Sequence, residues 1–320
     1  MTNILTITMN PALDVSTAVD EVRHTSKLRC EPMQRRAGGG GVNVARELHK
    51  LGAGVLAFYT AGHSMGRVMQ SLLQHEGVSC HPFAISASSR ESFTVLEHST
   101  GHEYRFVLPG PELTTQEWEQ ALVDIEKLCG PQSLVVASGS LPPGVPVDFY
   151  ARVSEVVQRA HAALVVDTSG EPLRAALAHG VYMVKPSLHE LRDLCDKPLS
   201  RLYEVRDTAR GMVQQGAAQI MVVSMGERGA LMVTQQGEWY APPLQVEVHS
   251  AVGAGDSFVA GMVWGLSQQQ SAVQAFAKGV ACATATLMST ASGLGDAAQV
   301  LQLLEQVRCL DQFPDQVLPI

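Results

Sequence analysis

The chain has 320 residues, 46% of them hydrophobic and 17% charged, enough apolar mass for one large α/β core or two smaller ones. A formal net charge of −8 gives no bulk attraction for nucleic acid or an anionic membrane, so an anionic ligand needs a local basic cluster. No apolar run approaches the roughly 18–20 residues of a membrane span, and the start, Met1 to Ile7, has no basic signal-like segment. Six cysteines (Cys30, Cys80, Cys129, Cys195, Cys282, Cys309) are scattered without metal spacing, so reduced thiols and a cytoplasmic location are expected.

Ile4 to Met9 is rich in β-branched residues and predicts a core strand. Pro11 removes a ladder donor and stops it. Asp14 then falls just past a strand end, the place of a ligand-contacting acid in α/β folds or of a plain turn aspartate. Residues Val15 to Arg36 alternate weakly and carry Lys27, Arg29, Arg35 and Arg36, which predicts strands of a small polar sheet. Four glycines, Gly38 to Gly41, precede the helical spacing of Val42, Ala45 and Leu48. That arrangement brings backbone close to a ligand at a helix start. It is not a dinucleotide fingerprint: the GxGxxG register is unnatural here and no clean strand precedes it. Asn43, one turn in, either hydrogen-bonds a sugar hydroxyl or contacts its own backbone.

Val55 to Tyr59 predicts a second core strand and Met65 to His75 a helix. Arg90 to Glu97 and His102 to Val107, joined by Ser99-Thr100-Gly101, predict a hairpin. Arg90 and Arg105 fall near corresponding ends of its arms, where two guanidiniums can clamp a phosphate. From Leu134 the doubly wound pattern is plain. Buried runs Leu134 to Gly139, Ala163 to Asp167, Val181 to Pro186 and Ile220 to Gly226 alternate with helices, which predicts a mostly parallel sheet covered on both faces. Leu231 to Thr234 with Gln235-Gln236-Gly237 predicts an edge hairpin. The last third is helical over Asp256 to Leu266, Ser271 to Ser289 and Asp296 to Cys309, and the proline-bearing tail from Asp311 is expected on the surface.

The most informative stretch is Ala251-Val252-Gly253-Ala254-Gly255-Asp256-Ser257-Phe258. Gly253 and Gly255 permit a tight turn, and the apolar run after them reads as a buried helix whose positive end suits an anion. Asp256 is then either a first-turn acid satisfying the dipole or a carboxylate placed to take a proton from an attacking hydroxyl. No GxxxxGK[ST] motif occurs, and His189 and His249 lack metal-ligand spacing.

That stretch and Gly38-Gly39-Gly40-Gly41-Val42-Asn43-Val44-Ala45, in this order and separation, resemble the PfkB-type, ribokinase-like sugar kinases along essentially the whole chain. Lys27-Leu28-Arg29-Cys30, Tyr104 to Gly110 and Ser138 to Val145 resemble the family's phosphofructokinase branch. The resemblance implies a single α/β domain over 1–320, a doubly wound sheet flanked by helices, with lid strands inserted at about 12–36 and 88–108. It also implies ATP as phosphoryl donor, Mg2+, a phosphorylated ketohexose as acceptor, and a homodimer through the lid. Carried over, Asp256 is the base, and the amides of Ala254 and Gly255, after Gly253, form the anion hole. Asp14, Gly39, Gly40 and Asn43 hold sugar hydroxyls, with Ser138 and Gly139 near. Arg90, Arg105 and Lys27, the last from a neighbouring subunit, bind the sugar's phosphate. Lys185, Ser187, Ser224, Gly226 and Gly229 lie along the nucleotide. Glu190 acts on magnesium through water, and Ser250 and Val252 match a K+ position of some members.

Two departures stand out. Ser187-Leu188-His189-Glu190 has serine where the family has asparagine, and Ser289 to Gly293 lacks the expected polar and basic residues. The leading expectation is phosphorylation of fructose 6-phosphate at its 1-hydroxyl. Tagatose 6-phosphate or fructose 1-phosphate as acceptor, and a non-catalytic sugar-phosphate-binding regulator, are the alternatives.

Overall fold

The computed structural model describes residues 3–289 and 296–318, so Thr290 to Gly293 of the late departure lie outside the described residues. In chain order, β1 (Ile4–Thr8) is followed by β2 (Ala12–Val19), β3 (Gln34–Gly38), α1 (Gly40–Lys50), β4 (Val55–Gly62), α2 (His63–His75) and β5 (Ser79–Ile85). Then come β6 (Arg90–Glu97), β7 (Glu103–Val107), α3 (Thr115–Leu128), β8 (Leu134–Ser138), α4 (Phe149–Arg159) and β9 (Ala163–Asp167). The chain continues through α5 (Gly170–His179), β10 (Val181–Val184), α6 (Leu188–Cys195), α7 (Leu202–Gln214), β11 (Ala218–Ser224), β12 (Ala230–Thr234) and β13 (Glu238–Ala241). It closes with α8 (Ala254–Ser267), α9 (Ala272–Leu287) and α10 (Ala297–Leu304).

Among the described residues, nine strands form a sheet ordered β13-β12-β11-β10-β9-β8-β1-β4-β5, and β3-β2-β6-β7 form a separate four-stranded sheet. In the large sheet only the β11–β12 and β12–β13 pairs are antiparallel. Side chains alternate across a strand, so β1 sends Leu5 and Ile7 to one core with Trp118, Phe149 and Leu202. Ile4 goes to the other core, with Val44, Phe258 and Phe276. Full burial of each such side chain contributes roughly 1.5–3 kcal/mol. Both faces are therefore covered, as the continuous apolar runs require. The chain leaves β1 toward β4 and β5 on one side and returns through β8 on the other. Between β1 and β8 the carboxyl ends open a crevice.

The small sheet is tied at its far end by Glu97, 4% exposed. Its carboxylate accepts from the Thr100 hydroxyl, the Val22 amide, Tyr104 and Ser99, and these bonds hold it down to about 2.

Several local expectations change. β1 ends at Thr8, ahead of Pro11, and after a bend at Met9 and Asn10 the chain crosses into the small sheet, so Asp14 is a strand residue paired with Arg36 and Ser92. Residues 20–33 carry no strand, and α1 starts inside the glycine run. β5 and α3 were not expected. β5 is an edge strand carrying Pro82, which an edge tolerates. The Thr114–Glu117 capping box that starts α3 was visible as Thr-x-x-Glu. The tail is not wholly superficial: Leu318 is 1% exposed, and its amide donates to the Ser200 carbonyl.

One buried group sets a pH dependence. Glu47 on α1 is 0% exposed, and neither carboxylate oxygen has a hydrogen-bond partner. Burial pushes it up to about 7, against the opposing charges of Lys50 and Arg46. Between its ordinary 4.5 and about 7 the folded state holds a proton that the unfolded chain has released, so stability falls as pH rises through that window. Glu47→Gln should flatten the pH dependence by up to about 3 kcal/mol and make the variant the more stable protein above pH 7. Denaturant melts of both proteins across pH 5–8 check this; coincident profiles would show that Glu47 finds a partner in solution.

Candidate active site

The carboxyl edge of the large sheet and the inner face of the small sheet enclose a cleft of about 570 Å³. Its floor includes the start of α8. Gly253 takes φ 82° as the N-cap, a left-handed conformation that a side chain would strain. The first turn of the helix therefore begins abruptly, with its amides and positive dipole end at the cleft edge. Asp256 lies in that turn. Its Oδ2 accepts a hydrogen bond from Asn43 Nδ2 at 2.8 Å, so Asn43 serves Asp256 and not its own backbone. Burial and the nearby Asp167 carboxylate push Asp256 up to about 7, while the Asn43 bond, Lys185 and Arg105 pull it down.

Lys185 follows β10 and is 5% exposed, with its Nζ 3.2 Å from Asp167 at the end of β9. Burial alone would lower its pKa; Asp167 beside it, with Glu190 and Asp256 farther off, raises it above the usual lysine value. A Cβ on Gly255 would lie 3.5 Å from this ammonium, so Lys185 sits against the start of α8. The cation therefore stands among the carboxylates of Asp167, Glu190 and Asp256 and against the place where a helix presents its amides.

On the other side, α1 begins at Gly40 with Gly39 as N-cap, and Asn43 occupies its first turn. Gly38 has a specific reason to be glycine: a Cβ there would lie 1.9 Å from Asp14 Oδ2. The end of β3 thus makes room for the Asp14 carboxylate. Burial raises that group, against Arg105, Arg90, Arg46 and Arg36. Ser138 and Gly139, at the carboxyl end of β8, complete this wall beside Gly39 and Gly40.

The two hairpin arginines both reach the cleft, although not from corresponding positions. Arg105 stands opposite Thr94, and Arg90 begins β6. Arg90 also donates to the carbonyls of Leu108 at 3.1 Å and Asn10 at 3.0 Å, fastening the lid to the end of β1. Lys27 is exposed in the stretch before β3 and is not part of the cleft wall of this chain.

The residues expected along a nucleotide are gathered at one end of the sheet but outside that wall. Ser187 and Ser224 form a β-bridge, and Gly226 and Gly229 bound the one-turn helix after β11. Ser187 caps α6. Its hydroxyl accepts from the Glu190 amide at 3.2 Å and the Glu190 carboxylate accepts from the Ser187 amide at 2.7 Å. Serine in place of asparagine is thus accommodated as one half of a capping box, a pattern legible in Ser-x-x-Glu. Glu190 and Val252 line the cleft. Ser250 Oγ accepts from the Val252 amide at 3.3 Å. Asp167 and Arg36 line it without having been assigned a role from sequence. The acid at the carboxyl end of a buried strand was the available signal for Asp167.

An open α/β sheet with an acid at a glycine-started helix and a basic lid defines a phosphotransferase acting on a small anionic or polyhydroxylated acceptor. The sequence pattern of the pfkB family carbohydrate kinases matches residues 5–297, and the chain belongs to that family. It is 42% identical to the ATP-dependent 6-phosphofructokinase isozyme 2 of Mycobacterium tuberculosis, over 89% of this chain and 84% of that one. The isozyme 2 of Escherichia coli K12 is 35% identical over 92% and 95% of the two chains. The crystal structure of Escherichia coli phosphofructokinase-2 with potassium superposes with a TM-score of 0.92 at 34% identity, covering 96% and 99%; that with fructose-6-phosphate gives 0.90 at 33%, with the same coverage. The 1-phosphofructokinase of Escherichia coli K12 is 30% identical over 95% and 97%.

The Asn43 bond favours the charged form of Asp256, so its loss should raise the Asp256 pKa further. Asn43→Ala is expected to move the acidic limb of the kcat–pH profile to higher pH than in the wild type. Substrates titrate identically with both proteins, so the difference reports the enzyme. An unmoved limb would show that Asp256 does not set it.

Proposed function

We propose that the protein transfers the γ-phosphoryl group of ATP to the 1-hydroxyl of fructose 6-phosphate, giving fructose 1,6-bisphosphate. The observation that carries this reading is Asp256: a carboxylate raised to about 7, held by Asn43, in the first turn of α8 and in the same cleft as Arg90 and Arg105. A carboxylate with a pKa near working pH is a far better proton acceptor than an ordinary one and is still ionised when needed. In this reading Asp256 takes the proton of the attacking hydroxyl, and the Ala254 and Gly255 amides stabilise charge on the transferring group without reorganisation. Asp14, Gly39, Gly40 and Asn43, with Ser138 and Gly139, orient the sugar; Arg90 and Arg105 bind its phosphate, joined by Lys27 of a neighbouring subunit. Lys185, Ser187, Ser224, Gly226 and Gly229 hold the nucleotide. Little covalent help is required, so positioning and charge carry the rate.

Magnesium fits this arrangement. Glu190 lines the cleft, and one of its carboxylate oxygens accepts from the Ser187 amide, so the other would hold such an ion through water together with substrate phosphates. Such an ion neutralises phosphate charge during transfer. A monovalent cation near Ser250 and Val252 belongs to the same reading, supported by the potassium in the Escherichia coli relative's crystal structure.

A homodimer through the lid also belongs to it. Phe93 and Phe106, directly paired on the small sheet, are 39% and 56% exposed, an apolar surface that a second copy would cover. A cytoplasmic location accords with the scattered cysteines, all free.

An ADP-release assay across fructose 6-phosphate, tagatose 6-phosphate, fructose 1-phosphate and free sugars decides the acceptor. Highest kcat/KM with fructose 6-phosphate is expected; preference for another ketohexose phosphate would reassign the substrate, and no turnover would favour a sugar-phosphate-binding regulator. Asp256→Asn should lower kcat at least about 100-fold with folding intact; a near-normal rate would remove the base. Light scattering should give a dimer at working concentration, and a monomer would refute the lid contact.

A further inference from the structure

Three hydrogen bonds fix the backbone of Gly139, at the bend after β8. Its amide donates to the Asp167 carbonyl at 2.9 Å. Its carbonyl accepts from the Tyr150 and Thr168 hydroxyls, each at 2.9 Å. Gly139 takes φ 106°, so a side chain here would strain the bend. The Gly139–Ser140 peptide is planar and trans, so the Ser140 N–H points opposite to the held carbonyl. The carbonyl faces Tyr150, which is 0% exposed in the apolar core; the amide faces away from it, at a residue that lines the cleft. That amide donates to no carbonyl among the described residues. Gly40, at the start of α1, is close by: a Cβ on it would lie 2.9 Å from the Gly139 nitrogen, and one on Gly139 would lie 3.5 Å from the Gly40 nitrogen. Two glycine bends thus pack backbone against backbone, and a shift in one displaces the other.

We propose that Tyr150, although outside the cleft lining, is a positioning residue for the acceptor: with Thr168 it locks the Gly139–Ser140 peptide so that this wall turns its free amide toward a sugar oxygen. The inference rests on the reading of Gly139 as part of the sugar site. Tyr150 lies in the first turn of α4, and its ring meets that of Phe149 edge-on with centroids 5.9 Å apart, so packing fixes where the hydroxyl points. Burial and the Asp167 carboxylate raise the phenol above its usual range, so it stays protonated and can donate. Thr168 follows the last residue of β9, so the ends of a strand and a helix converge on one glycine carbonyl. The peptide cannot flip without giving up both donors. An amide oriented before the ligand arrives spends none of the binding free energy on ordering itself.

The test compares the wild type with Tyr150→Phe, Thr168→Val and the double variant, each with its melting temperature recorded. Tyr150→Phe should raise the KM for fructose 6-phosphate at least about threefold, the effect of one lost hydrogen bond, and leave that for ATP within about twofold. Should Tyr150→Phe not fold, Thr168→Val carries the same comparison. In each single variant one hydroxyl still holds the carbonyl, so the double variant should exceed the product of the single effects. Unchanged KM values for both substrates, whatever the melting temperature, make Tyr150 a purely structural residue and overturn the assignment. Equal rises for both substrates, or a double effect equal to the plain product, overturn it too. Hydrogen exchange separates this claim from the substrate reading. If the wild type turns over no ketohexose phosphate, the proposed function fails; faster exchange of the Gly139 amide in Tyr150→Phe then keeps the lock, and an unchanged rate removes it.

Discussion

The hydrogen bond from Asn43 to Asp256 joins residues 213 apart in sequence, and most of the site depends on it. It exists because α1 and α8 both begin at the carboxyl edge of the large sheet and pack against each other within one apolar core. The glycines at the two helix starts give their backbones room: Gly38 leaves space for Asp14, and Gly253 turns the chain into α8. Moving either helix by an ångström would separate the pair and leave a carboxylate in the cleft without its donor, a cost of about 1–3 kcal/mol. The apolar packing of the two helices is thus also what holds the chemistry in register.

A second constraint is electrostatic. The cleft concentrates Asp14, Asp167 and Asp256 where water is scarce, and each is raised by burial. The protein offsets this with cations placed by different elements: Lys185 beneath α8, and Arg36, Arg90 and Arg105 from the lid. The result is two neighbourhoods: carboxylates supported by Lys185, which lies outside the cleft lining, and guanidiniums on the lining itself. In a chain with a net charge of −8, topology gathers these cations into the local basic cluster that an anionic ligand needs.

Much of this was legible beforehand. The buried runs at Leu134, Ala163, Val181 and Ile220 marked core strands because continuous apolar sequence fits only a sheet covered on both faces. The hairpin of Arg90 to Val107 followed from its turn and alternation. What escaped notice had weak local signals. β5 carries a proline and polar residues because it lies at an edge, and α3 is announced by a capping box more than by apolar spacing. Arg36 was read only as a charged residue of the small polar sheet, since its pairing with Asp14 depends on register between two strands. Ser187 looked like a loss until its part in the Ser187–Glu190 cap became visible.

Sequence alone determined the family, the alternating α/β pattern, the glycine-started helices and the presence of an acid at Asp256, because periodicity, turn chemistry and helix starts are encoded within a few residues. The tertiary structure decided which groups meet: Asn43 with Asp256, Lys185 with Asp167, and Arg36 beside Asp14. It also decided how strongly Asp256 holds its proton. Proximity across the chain and removal from water are products of folding; neither is a property of any short segment.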